Sequence, residues 1–147
     1  MNPSEVRGEL LEQHADLRAM IGEVRRAVRC AHESEAMRCA LRARIESLSL
    51  ALRTHNHREE EILRGILVTV DAWGPVRVEI MSEQHVAEHG ELYGVLHANV
   101  TSHTAVDDRV LDAGLDRVLE HMAREEIAFL GEDVLRDDSV VVQQFSG

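Results

Sequence analysis

Seven side chains able to bind a metal ion stand where a helix would otherwise carry an apolar residue: His14, His55, Glu59, His85, His89, His121 and Glu125. Burying an imidazole or a carboxylate is costly unless it is hydrogen-bonded, paired or bound to a cation. The spacing also repeats. His55 and Glu59, His85 and His89, and His121 and Glu125 are each four residues apart, which on a helix stacks both side chains on one face. Each pair can then serve one metal neighbourhood. Histidine offers a nitrogen donor and glutamate a hard anionic one, a mixture that favours iron, with manganese or zinc as alternatives. Five imidazoles and two carboxylates exceed the four ligands of a closed zinc site, and no cysteine lies among them. Two six-coordinate ions sharing both carboxylates account for the set better. If both carboxylates bridge and a hydroxide or oxide bridges as well, the five imidazoles and two glutamates fill all but one coordination position.

Four helices must position these groups. Asn2, Pro3 and Glu5 form a helix start, with a cap, a proline in the first turn and a capping-box carboxylate. The first helix runs to about Arg29, with Leu10, His14, Leu17, Ile21, Val24 and Val28 on its inner stripe. Ser34 caps a second helix whose stripe is Leu41, Ile45, Leu48, Leu52, His55, Glu59, Ile62 and Ile66. The segment from Asp71 to Pro75 is a breaker, and Pro75 opens a third helix carrying Val78, Met81, His85, His89, Leu92 and Leu96 before it fades near Thr101 to His103. A fourth begins around Thr104 to Asp107, shows Val110, Gly114, Val118, His121, Glu125 and Ala128, and ends near Gly131.

Four amphipathic helices joined by short connections predict an all-α fold, an up-down-up-down antiparallel four-helix bundle over residues 1–132. A short non-helical C-terminal tail, residues 133–147, follows; its Val140 to Val142 run either docks on the bundle or stays mobile. In this topology the start of the first and third helices and the end of the second and fourth share one end. His14 lies eleven residues after Pro3, His85 ten after Pro75, and His121 and Glu125 ten and six before Gly131; Glu59 lies a similar distance before the end of its helix. At 1.5 Å of rise per residue all seven groups fall in one slab roughly 10 to 15 Å deep.

Composition narrows the partners. The 147 residues fit one domain, and a net charge of -11 from 27 acidic and 16 basic side chains argues against nucleic acid, which is held by clustered cations. All the basic residues are arginine, read here as genome composition. No segment has the roughly 18 uninterrupted apolar residues of a membrane span, and the N-terminus lacks the basic-then-apolar run of a secretory signal, so a soluble cytoplasmic protein is expected. Cys30 and Cys39, with no CxxC spacing, are read as free thiols.

The strings EQHADLR, LRTHNHREEEIL, SEQHVAEHGEL and LEHMAREEIAFL resemble, in order, the four signature segments of hemerythrin-like, or HHE cation-binding, domains. Their span covers residues 10 to about 130. The resemblance implies a non-haem di-iron centre in which His85, His89 and His121 bind one iron and His14 and His55 the other, with Glu59 and Glu125 bridging. It also implies that dioxygen, peroxide or nitric oxide binds at the iron with two histidines. The glutamate four residues after His121, where the invertebrate oxygen carriers have an aspartate at the fifth, resembles the bacterial HHE group. Leu63-Arg64-Gly65 and Phe129-Leu130-Gly131 depart from the Phe-Pro that often follows each acidic cluster in the family. Three readings stay open: a small-ligand binding module, a redox enzyme disproportionating peroxide or reducing nitric oxide, and a metal buffer or structural bundle with a closed site.

The neighbours of these residues carry simpler expectations. Glu60, Glu61 and Glu126, each next to a stripe position or one removed, are read as a solvated face. His57 should point outwards, and His32 and His103 fall in loops. His97 flanks the third stripe as a candidate supporting hydrogen bonder, and Tyr93, one turn past His89, either packs or donates to a ligand.

Overall fold

A computed structural model describes residues 1–101 and 106–138. It is all-α: α1 spans Pro3–Cys30, α2 Glu35–Val70, α3 Gly74–Ile80, α4 Val86–Thr101 and α5 Asp108–Ala128, with a π-helical turn, Met81–His85, joining α3 to α4. The α3, π-turn and α4 stack forms the third limb of a four-helix bundle. α1 packs on α2 and α5, and α4 packs on the same two helices, while the diagonal pairs approach only through side chains at the centre. A site at the centre can therefore draw on all four limbs.

The local starts follow the sequence. The Asn2 side chain accepts from the Glu5 amide, the Glu5 carboxylate accepts from the Asn2 amide, and Pro3 occupies the first turn. Ser34 caps α2 by accepting from Met37, and Asp107 caps α5 by accepting from Arg109 and Val110. The turn into α3 depends on Gly74, because a Cβ there would lie 1.9 Å from the carbonyl oxygen of Leu67. Asp71 holds that turn, accepting from the Trp73 amide at 2.8 Å and from Arg77 Nη1 at 2.7 Å.

The core is divided. Leu17, Ile21, Ile45, Leu52, Leu92, Leu115 and Met122 belong to one buried cluster, and Val6, Leu10, Leu63, Leu67, Met81 and Phe129 to another. Along the limbs the seven polar candidates fall between these two clusters, with Met122 of the first cluster set between His121 and Glu125, so a polar layer separates two dry ones. Val134 and Leu135, beyond the last helix, are buried in the second cluster, and the Ser4 hydroxyl donates to Asp137 at 2.7 Å. The chain after α5 thus returns to the start of α1. Val140 to Val142, His103 and Thr104 lie outside the described residues.

Several stripe positions need correction. Over its 36 residues α2 turns its buried face away from Ile62 and Ile66, which are half-buried, and onto Leu63, Leu67 and Val70; a 3.6-residue turn drifts against any fixed repeat of three and four. In α5, Val110 and Ala128 are exposed and Leu111, Leu115 and Met122 take the inner positions with Val118. The third limb is not a regular helix either. The Val86 amide donates to the Met81 carbonyl five residues back, an expanded turn of the kind often found at functional sites. It brings both Met81 and His85 inward. Cys30 and Cys39 are free, and no described helix is long and apolar enough to cross a membrane.

Candidate metal centre

All seven predicted residues are buried, from 0 % exposed for His14 and Glu59 to 7 % for His85, and all meet between the two apolar clusters. They form two groups. One contains His85, His89, His121 and Glu125, the other His14, His55, Glu59 and Glu125, and within each group one ligand atom per residue lies within 4.8 Å of the rest. Glu125 belongs to both. Its Oε1 is 2.8 Å from His85 Nε2, 3.2 Å from His89 Nε2 and 2.5 Å from His121 Nε2, and its Oε2 is 3.1 Å from His14 Nε2. Glu59 reaches across as well, with Oε2 at 3.1 Å from His85, 3.5 Å from His89 and 4.0 Å from His55.

These separations bear on what the site can hold. Two donor atoms each about 2.1 Å from one cation and at right angles to one another are about 3 Å apart. The Nε2 atoms of His14 and His55 face each other at 3.1 Å, and most contacts above fall near that value. Glu59 Oε1 has no hydrogen-bond partner among the described residues, and Glu125 Oε2 and His121 Nε2, although close to other donor atoms, make no well-aligned hydrogen bond, which is costly in a dry interior. Buried lone pairs that converge from four helices are the donor set of a cation. The residues fit metal.

The outward-facing nitrogens are held too. His14 Nδ1 donates to Glu126 at 2.9 Å, His55 Nδ1 to Gln13 at 2.9 Å, His89 Nδ1 to Glu60 at 2.7 Å and His121 Nδ1 to Glu88 at 3.1 Å. An Nδ1 proton held in this way leaves the Nε2 lone pair aimed at the centre and fixes the ring's orientation. The partners are themselves anchored: Arg18 pairs with Glu126 at 2.7 Å, Arg124 with Glu88, and Gln13 donates to Glu9 at 3.2 Å, which in turn holds Arg58.

The electrostatics follow from burial and mutual contact. Burial pushes the Glu59 carboxyl above its ordinary range. For Glu125 burial acts in the same sense, but the imidazoles of His121, His14, His85 and His89 outweigh it and hold its carboxyl well below that range. Burial and the neighbouring His14 press His55 down to about 3. Burial also opposes the charge on His85, yet Glu125 and Glu59 prevail and raise it to about 9.

Two supporting residues escaped the sequence reading and two were misread. Glu60 and Glu126 are not a solvated face, since each is only partly exposed and accepts from a buried histidine; Glu61, with its side chain 66 % exposed, is on the surface as expected. Glu88 and Gln13 were not singled out. A signal existed: Gln13, Glu60, Glu88 and Glu126 each adjoin a stripe histidine or glutamate in the sequence. A neighbour on a helix sits about 100° round the axis, which lets it flank the stripe and reach an imidazole on the next limb. His97 is no such residue. It is exposed, and Tyr93 stacks on it at 5.2 Å with its hydroxyl 3.4 Å from His97 Nδ1. His57 and His32 are exposed as expected.

Comparison with protein families matches residues 6–131 to the model described as the hemerythrin HHE cation binding domain. No curated protein and no solved structure matches the chain.

Proposed function

The chain belongs to the hemerythrin HHE cation-binding family, and from that premise we propose that it binds two iron ions, bridged by a hydroxide or oxide, and presents an open iron position to dioxygen, peroxide or nitric oxide. The observation that carries this reading is the pair of four-residue groups sharing Glu125. His85, His89 and His121 would hold one ion, His14 and His55 the other, and Glu59 and Glu125 would bridge. The second group has one imidazole fewer, so the small ligand would bind on the side of His14 and His55.

Bound iron would supply a Lewis-acidic position with reversible one-electron chemistry. The chain's own part is to hold and shield that position. Glu126, Gln13, Glu60 and Glu88 keep the Nδ1 protons outward and the Nε2 lone pairs inward. Apolar clusters above and below exclude water, and Phe129 sets its ring edge-on to His85 at 5.2 Å between centroids. Low polarity strengthens the attraction between any small anion and a cationic centre. The seven ligands bring two formal negative charges, from Glu59 and Glu125, so a centre of two trivalent ions stays positive and favours an anionic ligand.

The test is anaerobic loading with Fe(II), followed by absorption spectra after oxygen, peroxide and azide, on the native chain and on His14→Ala. Azide should produce a charge-transfer band in the native diferric protein. In His14→Ala that band should weaken or move while iron remains bound. An absent azide band in the native chain would favour the closed metal-buffer reading instead.

A further inference from the structure

Four of the buried imidazoles have their outward nitrogen held by a neighbouring side chain, and the holders are not alike. His14, His89 and His121 donate to the carboxylates of Glu126, Glu60 and Glu88, at 2.9, 2.7 and 3.1 Å. His55 donates instead to an amide oxygen, Gln13 Oε1, at 2.9 Å. That amide is not free to turn over. Its Nε2 donates to Glu9 Oε1 at 3.2 Å, and Glu9 is held in turn by Arg58 Nε at 2.9 Å. An ionised carboxylate only accepts, so Gln13 keeps its nitrogen towards Glu9 and its oxygen towards His55.

The difference between the holders is one of charge. A carboxylate behind an imidazole draws on the Nδ1 proton and makes Nε2 a stronger donor to a cation, and its hydrogen bond is roughly twice as strong as one between neutral groups. An amide fixes the ring in the same orientation and adds no negative charge. The acid on this line, Glu9, stands one side chain further out and is paired with Arg58.

With Glu59 and Glu125 shared between the ions, as in the function proposed above, the two positions differ in what remains. His85, His89 and His121 supply one ion with three imidazoles, two of them backed by acids, whereas His14 and His55 supply the other with two, one of them backed by an acid. Gln13 adds to the disparity where an acid would reduce it. We propose that Gln13 makes the His14 and His55 position the exchangeable one, which fills last and empties first, by giving His55 an orienting partner without charge. The inference rests on the two-ion reading and deepens it, because the position that receives the small ligand is then also the weaker metal position.

The experiment strips the full chain with a chelator, reloads it with Co(II), whose absorption reports bound ion, and follows the loss of Co(II) to excess chelator. Two ions per chain leaving in two phases are expected, and His14→Ala should quicken only the faster phase. The decisive variant exchanges the acid and the amide, Glu9→Gln together with Gln13→Glu. It keeps the net charge of -11 and moves one negative charge onto His55. The faster phase should then slow about threefold to fivefold, the margin between a neutral and a charge-assisted hydrogen bond, and the slower phase should not change. Gln13→Leu, which leaves the His55 donor unpaired, should quicken the faster phase about tenfold. Melting temperatures of the chelated variants check that each folds, and Gln13→Glu alone carries the same test if the exchange does not. An exchange without effect on the faster phase, although Gln13→Leu quickens it, would reduce Gln13 to a purely structural role and overturn the proposal, as would an effect on the slower phase instead. One Co(II) per chain would defeat the two-ion reading and the inference with it. Two Co(II) leaving in a single phase would overturn the inference alone.

Discussion

Glu126→Ala distinguishes a carboxylate that orients a buried ligand from one that merely decorates a helix. In the native chain Glu126 Oε1 accepts from Nδ1 of His14 at 2.9 Å, and His14 is 0 % exposed. Removing the acceptor leaves a buried donor unpaired, a loss of about 1.5 to 3 kcal/mol when one partner is charged. The Glu126 side chain is 29 % exposed, so water enters the gap and the lower end, about 1.5 to 2 kcal/mol, applies. That is equivalent to a fall in metal affinity of about 10- to 30-fold, inside the range known for outer partners of metal-bound histidines. At about 2 to 4 °C per kcal/mol for a chain of this size, the melting temperature should drop by about 3 to 8 °C. The assays are competition against a chelator of known affinity and thermal melts. Three variants isolate the cause: Glu126→Gln keeps an acceptor and should recover most of the loss; Arg18→Ala removes only the exposed ion pair and should cost less than about 1 kcal/mol; Glu61→Ala, on a side chain 66 % exposed, should change stability by less than about 0.5 kcal/mol. If Glu126→Ala behaves like Glu61→Ala, the orienting argument is wrong.

The pH response of the chelated chain follows from two histidines. His55, lowered to about 3 when folded, binds its proton more readily in the unfolded chain, so stability falls as pH drops from about 6.5 towards 3. His85, raised to about 9, contributes stability below pH about 6.5 that is lost as pH rises through 9. Melts across pH should therefore decline on both sides of about 6.5, and calorimetry of metal uptake at neutral pH in buffers of different ionisation enthalpy should detect proton release from His85. Adding metal to saturation should raise the melting temperature, by about 4 kcal/mol of stabilisation at a thousandfold excess over the dissociation constant; identical melts with and without chelator would deny the site any part in the fold. Leu135→Ala, at a position 2 % exposed beyond the last helix, should cost about 2 to 4 kcal/mol in denaturant melts, whereas a mobile segment there would make it neutral.

The seven central residues were legible because each breaks an apolar stripe, and helical rise alone brings them to one level. Asn2 and Ser34 were legible as caps for a similar reason, since the residue type and its position before a periodic run have one physical use. The π turn at Met81–His85 was not, because a regular helix also puts Met81 and His85 on one face. The inward choice of Leu63 over Ile62, and of Leu111 over Val110, turns on where neighbouring helices lie, and adjacent apolar residues leave it open. Glu60, Glu88 and Glu126 were misjudged or overlooked for a related reason. A charge beside a stripe is ordinarily solvated, and only the imidazole on the next limb decides otherwise.

The central claim is that two cations share the carboxylates between these helices, and elemental analysis of the protein purified from iron-replete cells tests it most directly. Two groups sharing Glu125 predict close to two iron ions per chain, and Glu125→Ala should lose both. One zinc ion per chain with no iron, or full retention of iron in Glu125→Ala, would contradict it.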